Sequence, residues 1–352
     1  MTVETSVIVL NWNGARLLPA CLSALAAQSY RDFDLWLVDN GSIDESRGLL
    51  DDLEGTRQPS WLDYPLPSAP HHIRNTYNVG FAAGNNQAIS CTPARYVALL
   101  NNDAIPEPQW LETLVSTAQS ATPSVGMIAS TMLFSHRQDT VASAGISVHY
   151  DGVALDRGMG MTAADLDARG NMPVFGPSAG AALYSSALLR DVGLFDERFF
   201  SYLEDADLAW RARIRGWKAI HAPSARVSHE YSATGGHNSP FKKTHISRNR
   251  VWLLYKNMSE PLIRRFWPQI ARYDLLALLY GAATGDRYMI RGRLEGISRL
   301  KEFTADRRKI TTSARLHPDE LVDLLAPALS PRLTLKYRAR LNTLLSNPQP
   351  LA

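Results

Sequence analysis

The sequence contains few cysteines and no long hydrophobic segment, and both absences narrow its function. Its 352 residues include two cysteines, Cys21 and Cys91, which excludes a disulfide-stapled scaffold and a four-cysteine zinc site. So few cysteines favour a reducing compartment. The longest uncharged apolar stretch is Leu275–Gly285, about half of the roughly 20 residues that a membrane-spanning helix needs. We therefore expect a cytoplasmic protein that does not cross a membrane.

Sequence motifs of several enzyme classes are also missing. G-x-G-x-x-G does not follow the first predicted strand, and G-x-x-x-x-G-K-[ST] does not occur, which argues against dinucleotide oxidoreductases and P-loop enzymes. The metal motifs H-E-x-x-H and C-x-x-C are absent too. What remains is 45% hydrophobic and 20% charged residues, a composition typical of a folded globular protein.

Charge is distributed unevenly along the chain. Residues 1–240 hold 16 basic and 25 acidic side chains, whereas residues 241–352 hold 21 basic and 9 acidic ones. This asymmetry indicates two regions with different partners.

The first region alternates predicted strands and helices. Apolar runs at Ser6–Leu10, Asp34–Asp39 and Tyr96–Leu100 are typical of strands buried on both faces. A helix follows the first run, and another is expected to begin near Asn85. This order predicts an α/β fold with a mostly parallel sheet flanked by helices, which binds ligands at the carboxyl ends of its strands. Three polar groups stand at those ends: Asn11-Trp12-Asn13, Asp39-Asn40 and Asn101-Asn102-Asp103.

Two of the acidic groups fit a reaction at this edge. Asp103 after a buried strand could hold a divalent cation that also binds a diphosphate, although Asn and Asp are common in turns as well. Glu204 and Asp205 follow three aromatic residues in Phe199–Arg215, which would desolvate a carboxylate and raise its pKa for general-base catalysis. The alternative is a helix whose acids come first and cations later, as the macrodipole favours.

Three further motifs have a structural and a functional interpretation. His229 is either a structural histidine or a ligand. The glycines of residues 78–86 allow close approach to a ligand, or form a loop with Asn85 as a helix N-cap. Residues 176–180 match G-x-S-x-G, and Ser178, Asp205 and His229 follow the order of a serine hydrolase triad. That hydrolase alternative needs a strand–turn–helix at the serine and leaves the other aspartates unexplained.

Five segments occur in a characteristic order: VIVLNWNG at 7–14, LVDNGSID at 37–44, NVGFAAGNN at 78–86, LLNNDAIPEPQWL at 99–111 and VGLFDERFFSYLEDADLAWRARIRGW at 192–217. Together they resemble the family 2 inverting glycosyltransferases, which have the Rossmann-like GT-A fold. They are most similar to the bacterial rhamnosyltransferase-like branch. The resemblance covers about residues 4–235. It implies a nucleotide-sugar-binding and catalytic domain at 1–235, followed at 236–352 by a basic helical region for membrane or acceptor docking.

The resemblance implies a role for each candidate residue. Asp205 would be the general base, with Glu204 beside it, while Asp103 and His229 would hold Mg²⁺ or Mn²⁺. Asn101 stands where the family's metal motif begins with Asp. The residues that would bind the donor nucleotide are Asn11, Asn13, Asp39, Asn78, Gly80, Asn85, Asn101 and Asn102. The acceptor or diphosphate region would include Gly180, Trp210 and Arg211.

The implied reaction moves a sugar from a nucleoside-diphosphate sugar to a hydroxyl of a cell-surface glycan or polyprenyl-linked acceptor, with inversion. dTDP-rhamnose is the first donor expected from the branch. Because of Asn101, a sugar-nucleotide-binding or scaffold protein without turnover is the non-catalytic alternative.

The basic tail has two interpretations. Its basic residues lie among aromatic ones, which suits an anionic membrane surface, here the inner face of the plasma membrane. A helical packing region with a solvated basic face explains the same pattern. Nucleic acid is not expected, because the acidic first region would repel it. The basic residues in question are Arg248, Arg250, Lys256, Arg264 and Arg265.

Overall fold

The computed structural model describes residues 3–230, 236 and 238–345. Within these residues, ten strands form one mixed sheet and two short strands form a second. The strands are β1 (Thr5–Asn11), β2 (Phe33–Asp39), β3 (His71–Arg74), β4 (Tyr96–Asn101), β5 (Ala104–Pro106), β6 (Val125–Phe134), β7 (Arg137–Ser143), β8 (Ile146–Val148), β9 (Ala154–Asp156), β10 (Met172–Val174), β11 (Ala181–Ser185) and β12 (Lys218–His229).

The helices surround this sheet and make up most of the chain after residue 240. They are α1 (Leu18–Ala26), α2 (Ser46–Asp51), α3 (Phe81–Cys91), α4 (Trp110–Ser120), α5 (Ala163–Asp167), α6 (Ser186–Val192), α7 (Glu204–Ile214), α8 (Pro240–Asn257), α9 (Glu260–Thr284), α10 (Arg287–Ser298), α11 (Thr304–Thr312), α12 (Pro318–Leu324) and α13 (Pro331–Leu345). Two 3₁₀ helices lie at Glu197–Phe199 and Leu300–Phe303.

The large sheet has the order β10-β12-β6-β11-β4-β1-β2-β3, with β5 on β12 and β7 on β6. Strands β3, β2, β1 and β4 run parallel, as the alternating pattern predicts. Strand β11 runs antiparallel to both β4 and β6. The predicted α/β sheet flanked by helices is therefore confirmed, and its centre is mixed in direction.

The middle strands are buried on both faces. Val7, Ile8 and Val9 of β1 are completely inaccessible to solvent, because helices cover the sheet on each side. Val7 and Val9 pack with α1, whereas Ile8 packs with α3 on the other side. This burial explains why β1 reads as an uninterrupted apolar run rather than an alternating one.

The C-terminal helices share the core of the first region. Trp252 and Leu253 of α8 belong to the same apolar cluster as Ile8 of β1. The predicted boundary at residue 235 lies outside the described residues and stays a prediction. Within the described residues, no helix is both long enough and apolar enough to cross a membrane.

Candidate functional site

The polar strand ends predicted from sequence lie side by side. Parallel pairing places Asn11 of β1 opposite Asp39 of β2. On its other side, β1 places Leu10 opposite Asn101 at the end of β4. The carboxyl ends of three neighbouring strands therefore deliver their polar side chains to one edge of the sheet, as expected for this class of fold.

A cavity of about 1400 Å³ opens at this edge. It extends from the strand ends to the helices of the C-terminal region. Its volume exceeds the roughly 300–1,000 Å³ that is usual for a small-molecule pocket. The predicted site residues that line it are Asn78, Asn101, Asn102, Asp103, Gly180, Glu204, Asp205 and His229. The predicted site residues outside its lining are Asn11, Asn13, Asp39, Gly80, Asn85, Trp210 and Arg211.

Asp103 and His229 meet at the wall of the cavity. Asp103 follows β4 and His229 ends β12, and the two are brought together because β12 pairs with β5. His229 Nε2 lies 3.1 Å from Asp103 Oδ1. Burial lowers the pKa of His229, but the charge and hydrogen bond of Asp103 outweigh burial, and the pKa is raised.

This pair fits a divalent cation that is shared with a ligand. Among the described residues there is no cluster of three His, Cys, Asp or Glu side chains arranged to bind a metal. One carboxylate and one imidazole leave most of an octahedral shell to be filled by phosphate oxygens and water, which is the usual arrangement for Mg²⁺. An imidazole ligand favours a transition metal over Mg²⁺.

Asp205 lies in the first turn of α7 and is half-buried beside the cavity. Its Oδ2 accepts a hydrogen bond from the amide of Ala179 at 3.2 Å, and its Oδ1 accepts one from the amide of Ala206 at 2.7 Å. Burial nevertheless raises the pKa of Asp205 to about 6. A carboxylate with this pKa can accept a proton near neutral pH.

Glu204 precedes Asp205 and is more strongly perturbed. Burial raises the pKa of Glu204 well above its ordinary value, and the charge of Asp205 adds to this effect. Its Oε2 is buried without a hydrogen-bond partner. Asp205 accepts two amide hydrogen bonds, whereas Glu204 Oε2 accepts none, so Asp205 is the member of the pair that more readily carries the charge.

Asn11 and Asn13 hold the strand ends together rather than facing the cavity. Asn11 accepts a hydrogen bond from Asn102 at 2.9 Å and donates to Ser46 at 3.0 Å. Asn13 accepts a hydrogen bond from the amide of Ile43 at 2.9 Å. Both side chains thus support neighbouring residues, which corrects the expectation that they line the nucleotide pocket.

Asn40 also lines the cavity, although it is not among the site residues predicted from sequence. Its Nδ2 donates to Asn78 Oδ1 at 3.0 Å and its Oδ1 accepts from the amide of Val79 at 3.0 Å. The preceding Asp39 is buried, and its Oδ1 accepts from the amide of Ser42 at 3.1 Å. Asn40 immediately follows a predicted site residue at a strand end, and that position is the signal that could have identified it.

Gly80 and Asn85 also have structural tasks. A Cβ atom at Gly80 would lie 2.7 Å from the ring and the carbonyl oxygen of Phe200, and the residue has φ of 95°. Helix α3 begins at Phe81, so Asn85 lies inside the helix, where it donates to the Phe81 carbonyl at 2.9 Å. Gly80 makes room for Phe200 rather than for a ligand, and Asn85 is neither an N-cap nor a cavity residue.

Two sequence profiles match the chain. The profile of glycosyl transferase family 2 matches residues 6–139. The profile of glycosyl transferase family group 2 matches residues 96–290, which is more than half of the chain. The chain belongs to glycosyl transferase family group 2.

Curated relatives of this glycosyltransferase match it over a part of their own length. The O-antigen biosynthesis protein RfbC of Myxococcus xanthus is 28% identical over 66% of this chain and 18% of its own. The N-acetylglucosaminyl-diphospho-decaprenol L-rhamnosyltransferase of Mycobacterium tuberculosis is 39% identical over 18% of this chain and 21% of its own. The matched part thus spans about a fifth of each relative.

Two solved structures share the fold of this glycosyltransferase. GalNAc-T7 with UDP, GalNAc and Mn²⁺ superposes with a TM-score of 0.60 and 15% identity over 90% of this chain and 58% of its own. The mannosyltransferase PcManGT of Pyrobaculum calidifontis, in complex with GDP-Man and Mn²⁺, gives 0.50 and 16% over 89% and 86%. At these identities the likeness establishes the GT-A-like fold.

The structure places Trp210 and Arg211 in the core, outside the lining of the cavity. Trp210 is fully buried and packs edge-on against Phe175, with ring centroids 6.0 Å apart. Arg211 Nε donates to Asp207 at 2.8 Å, and its other nitrogens donate to backbone carbonyls. Both side chains stabilise α7 from the core side, and their role toward the acceptor stays a prediction.

The serine hydrolase alternative lacks its supporting structure. Ser178 lines the cavity, as do Asp205 and His229. However, Ser178 lies in the loop between strands β10 and β11, whereas a nucleophile elbow requires a strand–turn–helix. The G-x-S-x-G match is therefore a chance pattern in a glycosyltransferase.

Three of the five basic residues expected to face a membrane are buried. Arg248, Arg250 and Lys256 are almost inaccessible to solvent. They form internal ion pairs: Arg250 lies 2.7 Å from Asp274, and Lys256 lies 2.9 Å from Asp207. These side chains stabilise the packing of α8, so the expectation of a membrane-facing role is corrected for them.

Proposed function

We propose that this chain is an inverting glycosyltransferase that moves a sugar from a nucleoside-diphosphate sugar to an acceptor hydroxyl. The observation that carries the proposal is that a half-buried carboxylate with a pKa of about 6, Asp205, shares one cavity with Asp103 and His229, a pair of residues of the types that bind metals. The first group suits proton removal from an alcohol, and the second suits a diphosphate.

In this proposal the donor lies across the strand ends. The nucleotide occupies the edge formed by Asn40, Asn78 and Asn101, with the buried Asp39 behind it. Asp103 and His229 would hold Mn²⁺ or Mg²⁺ together with the two phosphates. A divalent cation held by these two residues would offset the charge that develops on the leaving diphosphate. The Mn²⁺ named for GalNAc-T7 and PcManGT supports this choice of cofactor.

Asp205 provides the acid–base part of the reaction. The acceptor oxygen forms a bond to the anomeric carbon while the bond from that carbon to the diphosphate oxygen breaks. The acceptor's hydroxyl proton passes to the Asp205 carboxylate. The leaving diphosphate keeps the electron pair of the broken bond. A single displacement inverts the anomeric centre and needs no enzyme nucleophile, which agrees with the chance nature of the Ser178 motif.

The choice of substrates rests on the relatives. dTDP-rhamnose is our first donor candidate, and a glycan or polyprenyl-diphosphate-linked sugar is our acceptor candidate. The names of the O-antigen protein RfbC and the decaprenol-linked rhamnosyltransferase support both. A sugar-nucleotide-binding protein without turnover remains the second candidate, because Asn101 reduces the negative charge beside Asp103.

We also propose that the enzyme contacts an anionic membrane through α9. The exposed face of this helix carries Leu275, Leu278 and Leu279, and exposed arginines such as Arg272 and Arg287 flank it. Apolar side chains between cations are typical of helices that lie in a membrane interface. The neighbouring Tyr280 lines the cavity, so a lipid-linked acceptor could reach Asp205 from this surface.

Donor binding and turnover test the central proposal. Thermal denaturation with Mn²⁺ and dTDP-rhamnose, UDP-glucose or GDP-mannose should give a higher midpoint for one donor, since a ligand of the native state stabilises it. Mass spectrometry should then detect transfer to an acceptor or slow hydrolysis by water. Donor binding with neither reaction would support the second candidate, and absence of binding by every donor would contradict both.

Vesicle flotation tests the membrane contact. The protein should float with phosphatidylglycerol vesicles at low salt and not with phosphatidylcholine alone. Leu275→Glu with Leu279→Glu should abolish flotation. Ile43→Glu is the control. Ile43 is an apolar residue that is 88% exposed, and it lies between β2 and α2 rather than on α9. Equal flotation by the double variant and the control would disprove a contact through α9.

A further inference from the structure

A backbone turn of unusual conformation precedes the two acids of α7. Phe200, Tyr202 and Leu203 have φ values of 65°, 70° and 68°, in the left-handed region that non-glycine residues rarely adopt. Such a conformation persists only where its surroundings enforce it. Since Leu203 is directly followed by Glu204 and Asp205, the shape of this turn sets where the Asp205 carboxylate points.

One side chain from the C-terminal helical region holds this turn. Asn249 of α8 is completely inaccessible to solvent. Its Nδ2 lies 2.9 Å from the carbonyl oxygen of Phe199, 3.0 Å from that of Ser201 and 2.7 Å from that of Tyr202. The two hydrogens of a single amide group are therefore shared among the carbonyl groups of three residues in and beside the strained turn.

The orientation of this amide is itself fixed. Arg248 Nε donates to Asn249 Oδ1 at 2.9 Å, so the opposite end of the amide, with its hydrogens, must face the turn. Arg248 also donates to the Phe199 carbonyl at 3.1 Å and pairs with Glu295 of α10 at 3.0 Å. The chain of contacts runs from α10 through Arg248 and Asn249 to the turn.

We propose that Asn249 is a positioning residue for Asp205, which acts by keeping the strained turn in its catalytic shape. The inference rests on the proposed function, because it assigns a role toward the proposed general base. Asn249 lines no part of the cavity among the residues described, so it acts through the backbone of residues 199–203 rather than by touching substrate.

The test compares two buried asparagines of the same helix. Asn249→Ala removes this donor from the carbonyl groups of Ser201 and Tyr202 and leaves Arg248 as the side-chain donor to Phe199, and Asn249→Ser keeps one donor. Asn257→Ala is the matched control, because Asn257 is equally buried but donates to Asp207 at 2.8 Å and not to the turn. Each variant is assayed for donor hydrolysis with dTDP-rhamnose, UDP-glucose and GDP-mannose, and for hydrogen exchange in peptides covering residues 199–205.

We expect Asn249→Ala to lower kcat about a hundredfold, the usual effect of a displacement of roughly 1 Å in a catalytic group. KM for the donor should be unchanged, since the strand ends are intact, and exchange in residues 199–205 should become faster. Asn249→Ser should recover part of kcat. Asn257→Ala should change neither kcat nor exchange in the turn.

Other outcomes overturn the proposal. Unchanged kcat or unchanged exchange in Asn249→Ala, or equal losses in both alanine variants, would mean that Asn249 is a general packing residue. If the alanine variant does not fold, the serine variant is judged by the same criteria. Two different results would contradict the proposed function itself. One is hydrolysis of the donor by Asp205→Asn as fast as by the unmodified chain, and the other is no hydrolysis by the unmodified chain.

Discussion

Replacement of Asp205 by Asn should make the protein more stable and almost inactive. The Asp205 carboxyl is half-buried, and desolvation raises its pKa from 3.8 to about 6 in the folded chain. The folded state therefore binds this proton more tightly than the unfolded state does, so the unfolding free energy decreases as pH rises from about 4 to about 6. Above that range the penalty for a buried charge is fully present, and a neutral Asn removes it.

The size of the effect follows from the same values. A difference of about 2 pKa units corresponds to about 3 kcal/mol of unfolding free energy, at about 1.4 kcal/mol per unit. Asn can accept one of the two amide hydrogen bonds of Asp205, and the loss of the other costs about 1 kcal/mol. Asp205→Asn should therefore be about 2 kcal/mol more stable above pH 7, and the gain should disappear below about pH 4. Without the base, turnover should fall by about 10²–10⁴.

Urea denaturation at a series of pH values, with donor hydrolysis in parallel, checks both parts. Asp207→Asn is the matched control on the same helix. Burial alone would raise the pKa of Asp207, but Lys256 and Arg211 outweigh it and the pKa is lowered, so this substitution should destabilise the fold at neutral pH. A less stable Asp205→Asn at pH 8 would refute the burial argument, and turnover within tenfold of the unmodified chain would remove Asp205 from the role of base.

Three further predictions concern the same cavity. The kcat of donor turnover should fall about tenfold per pH unit below pH 6, because Asp205 must be deprotonated to accept the proton; a flat rate profile from pH 7 to 4.5 would contradict this. Asp103→Asn should abolish the thermal stabilisation by Mn²⁺ plus dTDP. EDTA should reverse the same stabilisation in the unmodified chain. The control Asp139→Asn, at an exposed position, should keep the stabilisation. Ser178→Ala should retain full transfer activity, and loss of transfer together with a hydrolytic activity would revive the serine hydrolase.

The sheet edge could be predicted because strand ends are local features of the sequence. Apolar runs end in polar residues at Asn11, Asp39 and Asn101, and parallel pairing places them together. What the sequence does not specify is the direction in which each side chain points. Asn11 and Asn102 bond to one another, and only the packed structure distinguishes the one that faces the cavity.

Residues on α7 show a second limit of the sequence pattern. Glu204 and Asp205 lie in its first turn beside the cavity, while Trp210 and Arg211 lie about two turns further on and face the core. Membership of the same sequence motif therefore predicts more site residues than the structure places beside the cavity. The burial of the basic residues of α8 is not visible in the sequence for a related reason. Their acidic partners, Asp207 and Asp274, are distant in sequence.

The ion pairs between α8 and the first region bear on the order in which the chain can fold during synthesis. Asp196 and Asp207 are buried, and Lys256 lies 2.7 Å and 2.9 Å from them. A ribosome-bound chain that ends near residue 230 would hold both carboxylates without this cation and would also lack Asn249. The segment around the proposed base therefore acquires its final form late, once residues well beyond the last strand have emerged. Expression of residues 1–235 alone should accordingly yield a protein whose sheet is formed. Its helix α7 should not be held in the position that it has in the full chain.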